Sequence, residues 1–420
     1  MNLTVLTPHF EPDVAPTGAV ISRIVDELSL RGHRIEVITS LPWYRTHKVE
    51  PGYGGRLFRC EDAPWGRIIR INPFATSDKR NIFRRAAGYA GFSALAATLG
   101  VRGPRTAGHE VPTPVDGVLA MSPPLTLGLS GWAIARARGA PLVFNVQDVF
   151  PDVAIELGVL KDRRLIAAAR RLERICYERA DAITVLAEDL KENVAAKTSR
   201  HDKIQVIPNF VDTAAIAPGA RGNAYRKEFG LTDKTVVMYA GNVGLSQSLD
   251  LVLEAAAALA YEPDLVFVIN GSGAALPELK RKARDLSNVL FVDMQPAERL
   301  PEVLAAADIH VVPLKQGLAR SSVPSKTYSI FAAGRPLIAS VDEGSEVARV
   351  VERSGGGIAV PPDDAEALTK AIRRVLDAPD EAGQMGDAGR AWVERWASPA
   401  AVAAAYENLF GTLTTKERGP

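Results

Sequence analysis

Short apolar runs alternate with helical segments along the whole chain. The first half contains LTVLTP, RIEVITS, GVLAMS, LVFNVQD and AITVLA, and the second half contains TVVMYAG, LVFVING, VLFVDM, IHVVPL and PLIAS. Strands that are buried on both faces give such nearly continuous apolar runs, and their alternation with helices indicates parallel sheets. The pattern predicts an α/β protein with two doubly wound, Rossmann-like domains facing a central cleft. Ligands of such sheets bind beyond the carboxyl ends of the strands.

The boundary between the two domains is expected after the strand-like run IQVIP, where a stretch rich in Ala, Pro and Gly begins. We therefore predict an N-terminal domain at 1–212 and a C-terminal domain at 223–396. For 397–420 the pattern predicts a short amphipathic helix after Pro399, which could pack back on the N-terminal domain. The length of 420 residues supports the division, because a single hydrophobic core rarely grows so large.

Composition and charge narrow the class of protein. The chain is 47% hydrophobic and 24% charged, as expected of a globular protein. Fifty basic residues face forty-nine acidic ones, for a formal charge of +1, so we expect no nucleic-acid partner, which would require a basic excess. Cys60 and Cys176 are isolated in the sequence, which predicts neither a disulfide framework nor a zinc site. A reducing, cytoplasmic location fits best.

Membrane contact is left open by the sequence. We expect no signal peptide, because the first residues run into a strand, and no apolar stretch reaches the roughly 18 to 20 residues that span a bilayer. Segment 79–101 places four basic residues before an uncharged run in which apolar residues recur at helical spacing. It is either a core or lid helix, or a helix in the membrane interface whose basic flank faces anionic headgroups. The second alternative would place the protein on the inner face of the cell membrane.

Glycines follow several predicted strands at the edge where ligands are expected. Gly18 ends the loop after the first strand, and Gly241 and Gly244 follow the first strand of the second half. Such turns give a ligand phosphate access to backbone N–H groups, although each could be a purely structural turn. Gly271 and Gly273 precede a helix, but Leu276 occupies the place of the third glycine of a dinucleotide fingerprint, which argues against NAD.

Two further positions combine polar chemistry with the expected ligand edge. Asp148 ends an apolar strand and could act as a base or bind a sugar hydroxyl, or it could only cap the next element. Lys326 lies in the first turn of a predicted helix that begins near Ser325. Because a helix N-terminus already carries partial positive charge, a lysine there suits an anion such as phosphate. The alternative is an ordinary capped helix with a solvated lysine.

These features together resemble a known family, the bacterial GT-B glycosyltransferases of the retaining family-4 type. The resemblance is to the surface-polysaccharide (WbuB/WcaI-like) branch and covers nearly the whole chain. The motifs that carry it are PTGAVISRIVDELSLRGHRIEVIT, AMSPPLTLGLSGWAIARARGAPLVFNVQDVFPD, ADAITVLAEDLK, IQVIPNFVD, YAGNVGLSQSLD and PSKTYSIFAAGRPLIAS. It implies transfer of a sugar from a nucleotide-diphosphate donor with retention, no metal and no other cofactor, the acceptor on the N-terminal domain and the donor on the C-terminal domain.

The chain departs from the family at several ligand positions. Asn242 and Gln247 stand where many relatives have Arg and Lys, Ser321 and Ser329 replace a Glu pair, and Gln147 replaces a histidine. The resemblance implies that Ser325, Lys326 and the helix N–H groups bind the diphosphate instead, with Arg320 as a second cation. Asp148 and Lys326 are the predicted catalytic residues. The predicted donor-binding residues are Gly18, Asn242, Gly244, Gln247, Gly271, Gly273, Arg320, Ser325, Lys326 and Glu346, and the acceptor-binding residues are Ser122, Gln147 and Asp148.

The resulting hypothesis is a glycosyltransferase that uses a UDP-sugar, with an N-acetylhexosamine as the expected sugar. Its partners would be a lipid-linked or other amphiphilic glycan acceptor and an anionic membrane surface through 79–101. Two alternatives remain. A nucleotide-sugar 2-epimerase would also use paired α/β domains, but the sequence offers no convincing histidine partner for acid–base chemistry. A noncatalytic nucleotide-sugar-binding protein would bind the donor without turnover.

Overall fold

The computed structural model describes residues 1–45, 47–74, 82–102, 114–156, 160–317 and 325–417. The chain divides into two compact units. Unit 1 consists of Met1–Pro208 together with Val402–Pro420, and unit 2 is Asn209–Ala401. Each unit is an α/β domain built on one sheet, as the alternation of strands and helices predicts.

Unit 1 contains an eight-stranded sheet in the order β3-β4-β2-β1-β5-β6-β7-β8. All neighbours pair in parallel except β3 and β4, which are antiparallel. Its strands are β1 Asn2–Leu6, β2 Arg34–Ser40, β3 Phe58–Ala63, β4 Gly66–Ile71, β5 Gly117–Ser122, β6 Leu142–Val146, β7 Ala182–Val185 and β8 Ile204–Val206. Its helices are α1 Pro16–Leu30, α2 Ile82–Arg102, α3 Thr126–Arg138, α4 Asp152–Glu156, α5 Arg163–Arg179 and α6 Glu188–Ala195, with a 3-10 turn at His201–Lys203.

Unit 2 contains a fully parallel six-stranded sheet in the order β11-β10-β9-β12-β13-β14. Its strands are β9 Thr235–Ala240, β10 Leu265–Asn270, β11 Val289–Val292, β12 Ile309–Pro313, β13 Leu337–Ser340 and β14 Gly357–Val360. Its helices are α7 Ala224–Glu228, α8 Asp250–Ala258, α9 Leu276–Lys282, α10 Leu300–Ala305, α11 Ser325–Ala332, α12 Glu346–Ser354, α13 Ala365–Asp377 and α14 Pro379–Trp396, with a 3-10 turn at Ala297–Arg299.

The direction of strand addition reverses once in each sheet. In unit 2 the chain adds β10 and β11 on one side of β9 and then returns to add β12 on the other side. In unit 1 the corresponding reversal lies between β1 and β5. Loops that leave such neighbouring strands in opposite directions open a crevice at the carboxyl edge, which is the usual ligand position in open α/β sheets.

The last helix, α15 Pro399–Glu417, packs on unit 1. The buried Tyr406 hydroxyl accepts a hydrogen bond from Asn145 Nδ2 on β6, at 2.9 Å. Glu407 pairs with His33, and the fully buried Phe410 fills the space left by Gly117, where an added Cβ would lie 2.3 Å from the Phe410 ring. The C-terminal segment is thus part of the core of unit 1.

Strands β3, β4 and β14 were not predicted from the apolar pattern. Strand β4 carries two arginines, Arg67 and Arg70, that are almost fully buried. Each is neutralised by a carboxylate, since Arg67 pairs with the buried Glu36 and Arg70 Nε lies 2.7 Å from Glu61. Paired charges can be buried where a lone charge cannot. Because the two arginines interrupt the apolar run, the sequence pattern did not indicate this strand.

Candidate functional site

The loops that follow β9 and β10 lie in close backbone contact. Val243 N donates to Ser272 O at 2.8 Å, and Gly241 N donates to Asn270 O at 2.9 Å. A Cβ on Gly271 would lie 1.9 Å from Gly241 O, so a side chain at that position cannot be accommodated without moving the loop. The glycines singled out in the sequence therefore hold two loops together at the carboxyl edge of the sheet of unit 2.

Lys326, in the first turn of α11, reaches across Gly241 to the end of β9. Its Nζ donates to the Tyr239 hydroxyl at 2.7 Å and lies 4.5 Å from the centroid of that ring. A Cβ on Gly241 would lie 2.7 Å from Lys326 Cε, so the absence of a side chain at Gly241 leaves room for the lysine side chain. Since β9 and β12 flank the reversal of strand order, the ammonium group is at the crevice of this sheet.

The electrostatic state of Lys326 suits an anionic ligand. Within the described part of the chain no carboxylate forms an ion pair with it, and burial lowers the pKa of its ammonium group to about 8. Burial also raises the pKa of the Tyr239 hydroxyl, which therefore stays neutral and accepts the hydrogen bond. A partly desolvated cation without a counter-ion is stabilised when an anion binds.

The residues predicted to replace the family's Arg and Lys are part of the loop after β9. Asn242 is exposed, and its backbone carbonyl accepts a hydrogen bond from the Tyr239 hydroxyl. Gln247 Oε1 accepts from Gly244 N at 3.0 Å, which closes the turn. An added Cβ on Gly273 would lie 2.8 Å from Asn242 Oδ1. These residues shape the loop beside Lys326 and supply neutral polar groups.

The remaining predicted donor residues in unit 2 differ in their surroundings. Ser325 is the exposed first residue of α11. Glu346 begins α12 and is buried, and its carboxylate accepts from Arg349 Nη2 at 3.0 Å. Arg320 and Ser321 lie outside the described residues. The structure thus brings Asn242, Gly244, Gln247, Gly271, Gly273 and Lys326 together at one edge.

In unit 1 the structure separates the three predicted acceptor residues by burial. Asp148 is exposed just beyond the end of β6, yet the protein mass around it raises the pKa of its carboxyl above the ordinary value. Gln147 is buried, and its Nε2 donates to Asn145 Oδ1 at 2.7 Å. Ser122 is also buried, and its carbonyl accepts from Gln147 N. Asp148 alone of the three presents its side chain at the surface.

Gly18, predicted as a donor residue, lies in unit 1 near the start of α1, where an added Cβ would be 3.1 Å from His9 Cβ. His9 belongs to a cluster that the sequence analysis missed. Its Nδ1 lies 2.7 Å from the buried Asp13 Oδ2, and its ring stacks on Trp43 at 5.6 Å. The i, i+4 spacing of His9 and Asp13 in a loop after a strand was the available signal.

Tyr239 was also missed, because it occupies a place in an apolar strand where an aromatic residue is ordinary core. Neither unit, in its described residues, contains three or more His, Cys, Asp or Glu side chains arranged to hold a metal ion. Among the described helices, none has the length and apolarity needed to cross a bilayer. Independence from metals remains a prediction.

Comparison with known proteins identifies both halves of the chain. Residues 17–209 match the model of the glycosyl transferase 4-like domain, and residues 234–378 match that of the glycosyl transferases group 1. A relative, the putative colanic acid biosynthesis glycosyl transferase WcaI of Escherichia coli (strain K12), is 27% identical over 388 residues. That alignment covers 90% of this chain and 92% of the relative.

Solved structures of similar fold also span the whole chain. Sucrose-phosphate synthase from Thermosynechococcus elongatus has a TM-score of 0.65 at 19% identity, covering 98% of this chain and 99% of the other. HepE from Anabaena, determined in complex with UDP, has a TM-score of 0.64 at 14% identity, covering 98% and 100%. Two Rossmann-like domains, matched in order by two glycosyltransferase domain models, place this chain among the glycosyltransferases of the GT-B fold.

Proposed function

We propose that the protein is a retaining, metal-independent glycosyltransferase of surface-polysaccharide synthesis. It transfers a sugar from a UDP-sugar to a lipid-linked or other amphiphilic glycan acceptor. The transferred sugar is proposed to be an N-acetylhexosamine, a choice that rests on the family resemblance alone. In this proposal unit 2 binds the donor and unit 1 binds the acceptor.

The observation that carries the proposal is the contact of Lys326 with the end of β9. Its ammonium group is 2.7 Å from the Tyr239 hydroxyl, at the crevice of the sheet of unit 2 and at the first turn of α11. A diphosphate bound there would accept charge-assisted hydrogen bonds, which are about twice as strong as neutral ones. Such bonds stabilise the negative charge that develops on the leaving UDP, and so they lower the barrier to transfer.

The relatives support the substrate classes in the proposal. WcaI is named for colanic acid biosynthesis, which supports a surface polysaccharide as the product. HepE was crystallised with UDP, which supports a uridine nucleotide as the donor. For the acceptor we propose that the exposed carboxylate of Asp148 orients the attacking hydroxyl or accepts its proton. Desolvation raises the pKa of Asp148, which makes its carboxylate a stronger base than that of an ordinary aspartate.

A transfer assay tests the proposal. The protein is incubated with UDP-N-acetylglucosamine, UDP-glucose or GDP-mannose and a polyprenyl-diphosphate-linked sugar acceptor, with and without EDTA, and the anomeric configuration of the first product is determined by NMR. We expect transfer from a UDP-sugar with retention and without loss in EDTA. Release of an isomerised sugar nucleotide in the absence of acceptor would instead indicate an epimerase.

Two variants connect the assay to the site. Lys326→Met removes the proposed diphosphate ligand and should abolish most of the transfer. Lys370→Met removes an exposed lysine on α13 that pairs with Glu366 of the same helix, and it should leave the rate unchanged. Equal rates for the two variants would contradict the role of Lys326.

A further inference from the structure

The apolar face of α2 is not available to a membrane. Phe92 and Ala96 are buried, and Leu95 and Leu99 pack against the same core of unit 1. An added Cβ on Gly100 would lie 2.4 Å from Ile134 on α3, so the two helices are in close contact. This is the packing expected of the core-helix alternative for 79–101. The basic residues of that segment fall outside the described side chains.

A different helix of unit 1, α5, carries an exposed basic face. All six of its arginines are exposed, and five of them lie along its first three turns, namely Arg163, Arg164, Arg170, Arg171 and Arg174. None of these five forms an ion pair or a side-chain hydrogen bond with any described residue, and the one electrostatic effect among them is that of Arg170, whose charge helps to lower the pKa of Asp152. Because the whole chain has a formal charge of only +1, this concentration of unpaired positive charge is a local property of α5.

The five arginines, which we call the α5 basic face, lie on one side of the helix. Arg170 follows Arg163 by seven positions, and Arg171 follows Arg164 by seven positions, an offset close to two turns of an α-helix. The opposite side packs in unit 1 through Glu173, Cys176 and Tyr177, all buried. Glu173 is held there by Lys197 and does not offset the exposed charge.

The acidic residues of this segment leave the α5 basic face largely uncompensated. Asp162 is the N-cap of the helix, and its carboxylate accepts from Arg164 N and Leu165 N. Glu178 is exposed near the C-terminal end, one turn beyond Arg174. Arg179, at the end of the helix, stacks over Trp132 at 4.7 Å. Five exposed arginines, none of them in an ion pair with a described residue, therefore face solvent beside two exposed carboxylates, those of Asp162 and Glu178, and such a surface attracts a polyanion.

We propose that the α5 basic face is a docking surface for the anionic headgroups of a lipid bilayer. A planar array of headgroups can contact cations that are spread over one side of a helix along three turns, and each Lys or Arg near an anionic membrane contributes about 1 kcal/mol of attraction. Besides its arginines this face carries Ala167 and, near its C-terminal end, Glu178, so it would adsorb at the headgroups without inserting large apolar side chains. It also lacks the aromatic side chains that stack on nucleic-acid bases.

The choice of partner rests on the proposed function, since an amphiphilic acceptor resides in a membrane. Vesicle binding, however, can be measured without transfer. Vesicle binding by a protein with no transferase activity would support the docking surface and overturn the proposed function. Transfer to a lipid-linked acceptor without vesicle binding would support the proposed function and overturn the docking surface.

The test is cosedimentation with vesicles of phosphatidylglycerol and phosphatidylcholine, compared with phosphatidylcholine alone, at 0.1 M and 1 M NaCl. We expect binding only to the anionic vesicles, and its loss at 1 M salt, where charges are screened beyond about 3 Å. The triple variant Arg164→Gln/Arg171→Gln/Arg174→Gln should lower the partition coefficient on the order of 100-fold, from about 1 kcal/mol per arginine.

Two control variants separate the surface from general charge and from folding. Arg284→Gln/Arg353→Gln/Arg395→Gln removes the same charge from exposed positions of unit 2 and should bind as the unchanged protein does. Replacing Arg164, Arg171 and Arg174 by Lys should restore binding. The proposal would be overturned if the two triple Gln variants lost vesicle binding equally. It would also be overturned if the unchanged protein bound vesicles made only of phosphatidylcholine. Tighter binding to duplex DNA than to anionic vesicles would overturn it as well.

Discussion

Raising the pH from 7 to 9 should weaken the binding of UDP to the free enzyme about tenfold, through Lys326. Burial lowers the pKa of this lysine to about 8, so roughly nine-tenths of the molecules carry the charge at pH 7 and roughly one-tenth at pH 9. If only the charged form binds the diphosphate strongly, the dissociation constant rises in the same proportion.

The same lysine predicts uptake of a proton on binding. A bound diphosphate stabilises the ammonium form, because it replaces the water lost on burial and supplies the missing counter-ion. The pKa in the complex is therefore higher than about 8, its value in the free protein. The lowering from 10.5 corresponds to about 3 kcal/mol of desolvation that the anion can offset.

Isothermal titration calorimetry with UDP measures both effects. Titrations at pH 7, 8 and 9 give the dissociation constants, and titrations at pH 8 in two buffers of different ionisation enthalpy should give about half a proton taken up per UDP. The nucleotide itself also titrates, so Lys326→Met is measured in parallel. The pH dependence of UDP binding by Lys326→Met reports the titration of UDP without that of the lysine. Lys370→Met should show the same pH dependence as the unchanged protein.

The result that would refute this reasoning is a pH profile shared by the unchanged protein and Lys326→Met. It would mean that the nucleotide does not depend on the charge of this lysine. A proton released at pH 8 in place of one taken up would also refute it, because the bound anion would then disfavour the ammonium form.

Three further substitutions test other parts of the structure. Tyr239→Phe removes the hydroxyl that holds Lys326 Nζ at 2.7 Å and should weaken UDP binding about tenfold, from roughly 1.5 kcal/mol for a hydrogen bond to a charged group; unchanged affinity in calorimetry would contradict the positioning role. Asp148→Asn should lower kcat by about 100-fold or more with unchanged affinity for UDP, and an equal loss of UDP affinity would argue against an acceptor role. Tyr406→Phe leaves buried Asn145 without one partner and should cost about 1 to 3 kcal/mol, measured as a lower urea midpoint; an unchanged midpoint would show that the contact contributes little.

The extent to which the sequence predicted the fold depends on how each strand is buried. Strands such as β1 and β9 are covered on both faces by apolar side chains, so their runs are visible in the sequence. Strand β4 is equally buried, but Arg67 and Arg70 reach carboxylates on neighbouring strands. Pairing across a sheet depends on strand order, which an apolar pattern does not contain.

In the candidate site, too, contacts between residues distant in the sequence could not be predicted. Lys326 was singled out in the local sequence, because a lysine in the first turn of a helix is locally unfavourable without an anion, and the family resemblance then made it a predicted diphosphate ligand. Its partner Tyr239 is 87 positions away, and the two meet only because β9 and β12 are neighbours in the sheet. Gln147 was predicted to contact the acceptor, but its burial against Asn145 was not visible in the sequence.

A crystal structure of the protein with UDP bound tests most directly whether Lys326 holds the leaving diphosphate. We predict a phosphate oxygen of UDP within about 3 Å of Lys326 Nζ, with the nucleotide lying on the glycine loops after β9 and β10. A nucleotide bound elsewhere, with Lys326 Nζ bonded only to the Tyr239 hydroxyl, would contradict the proposed donor site.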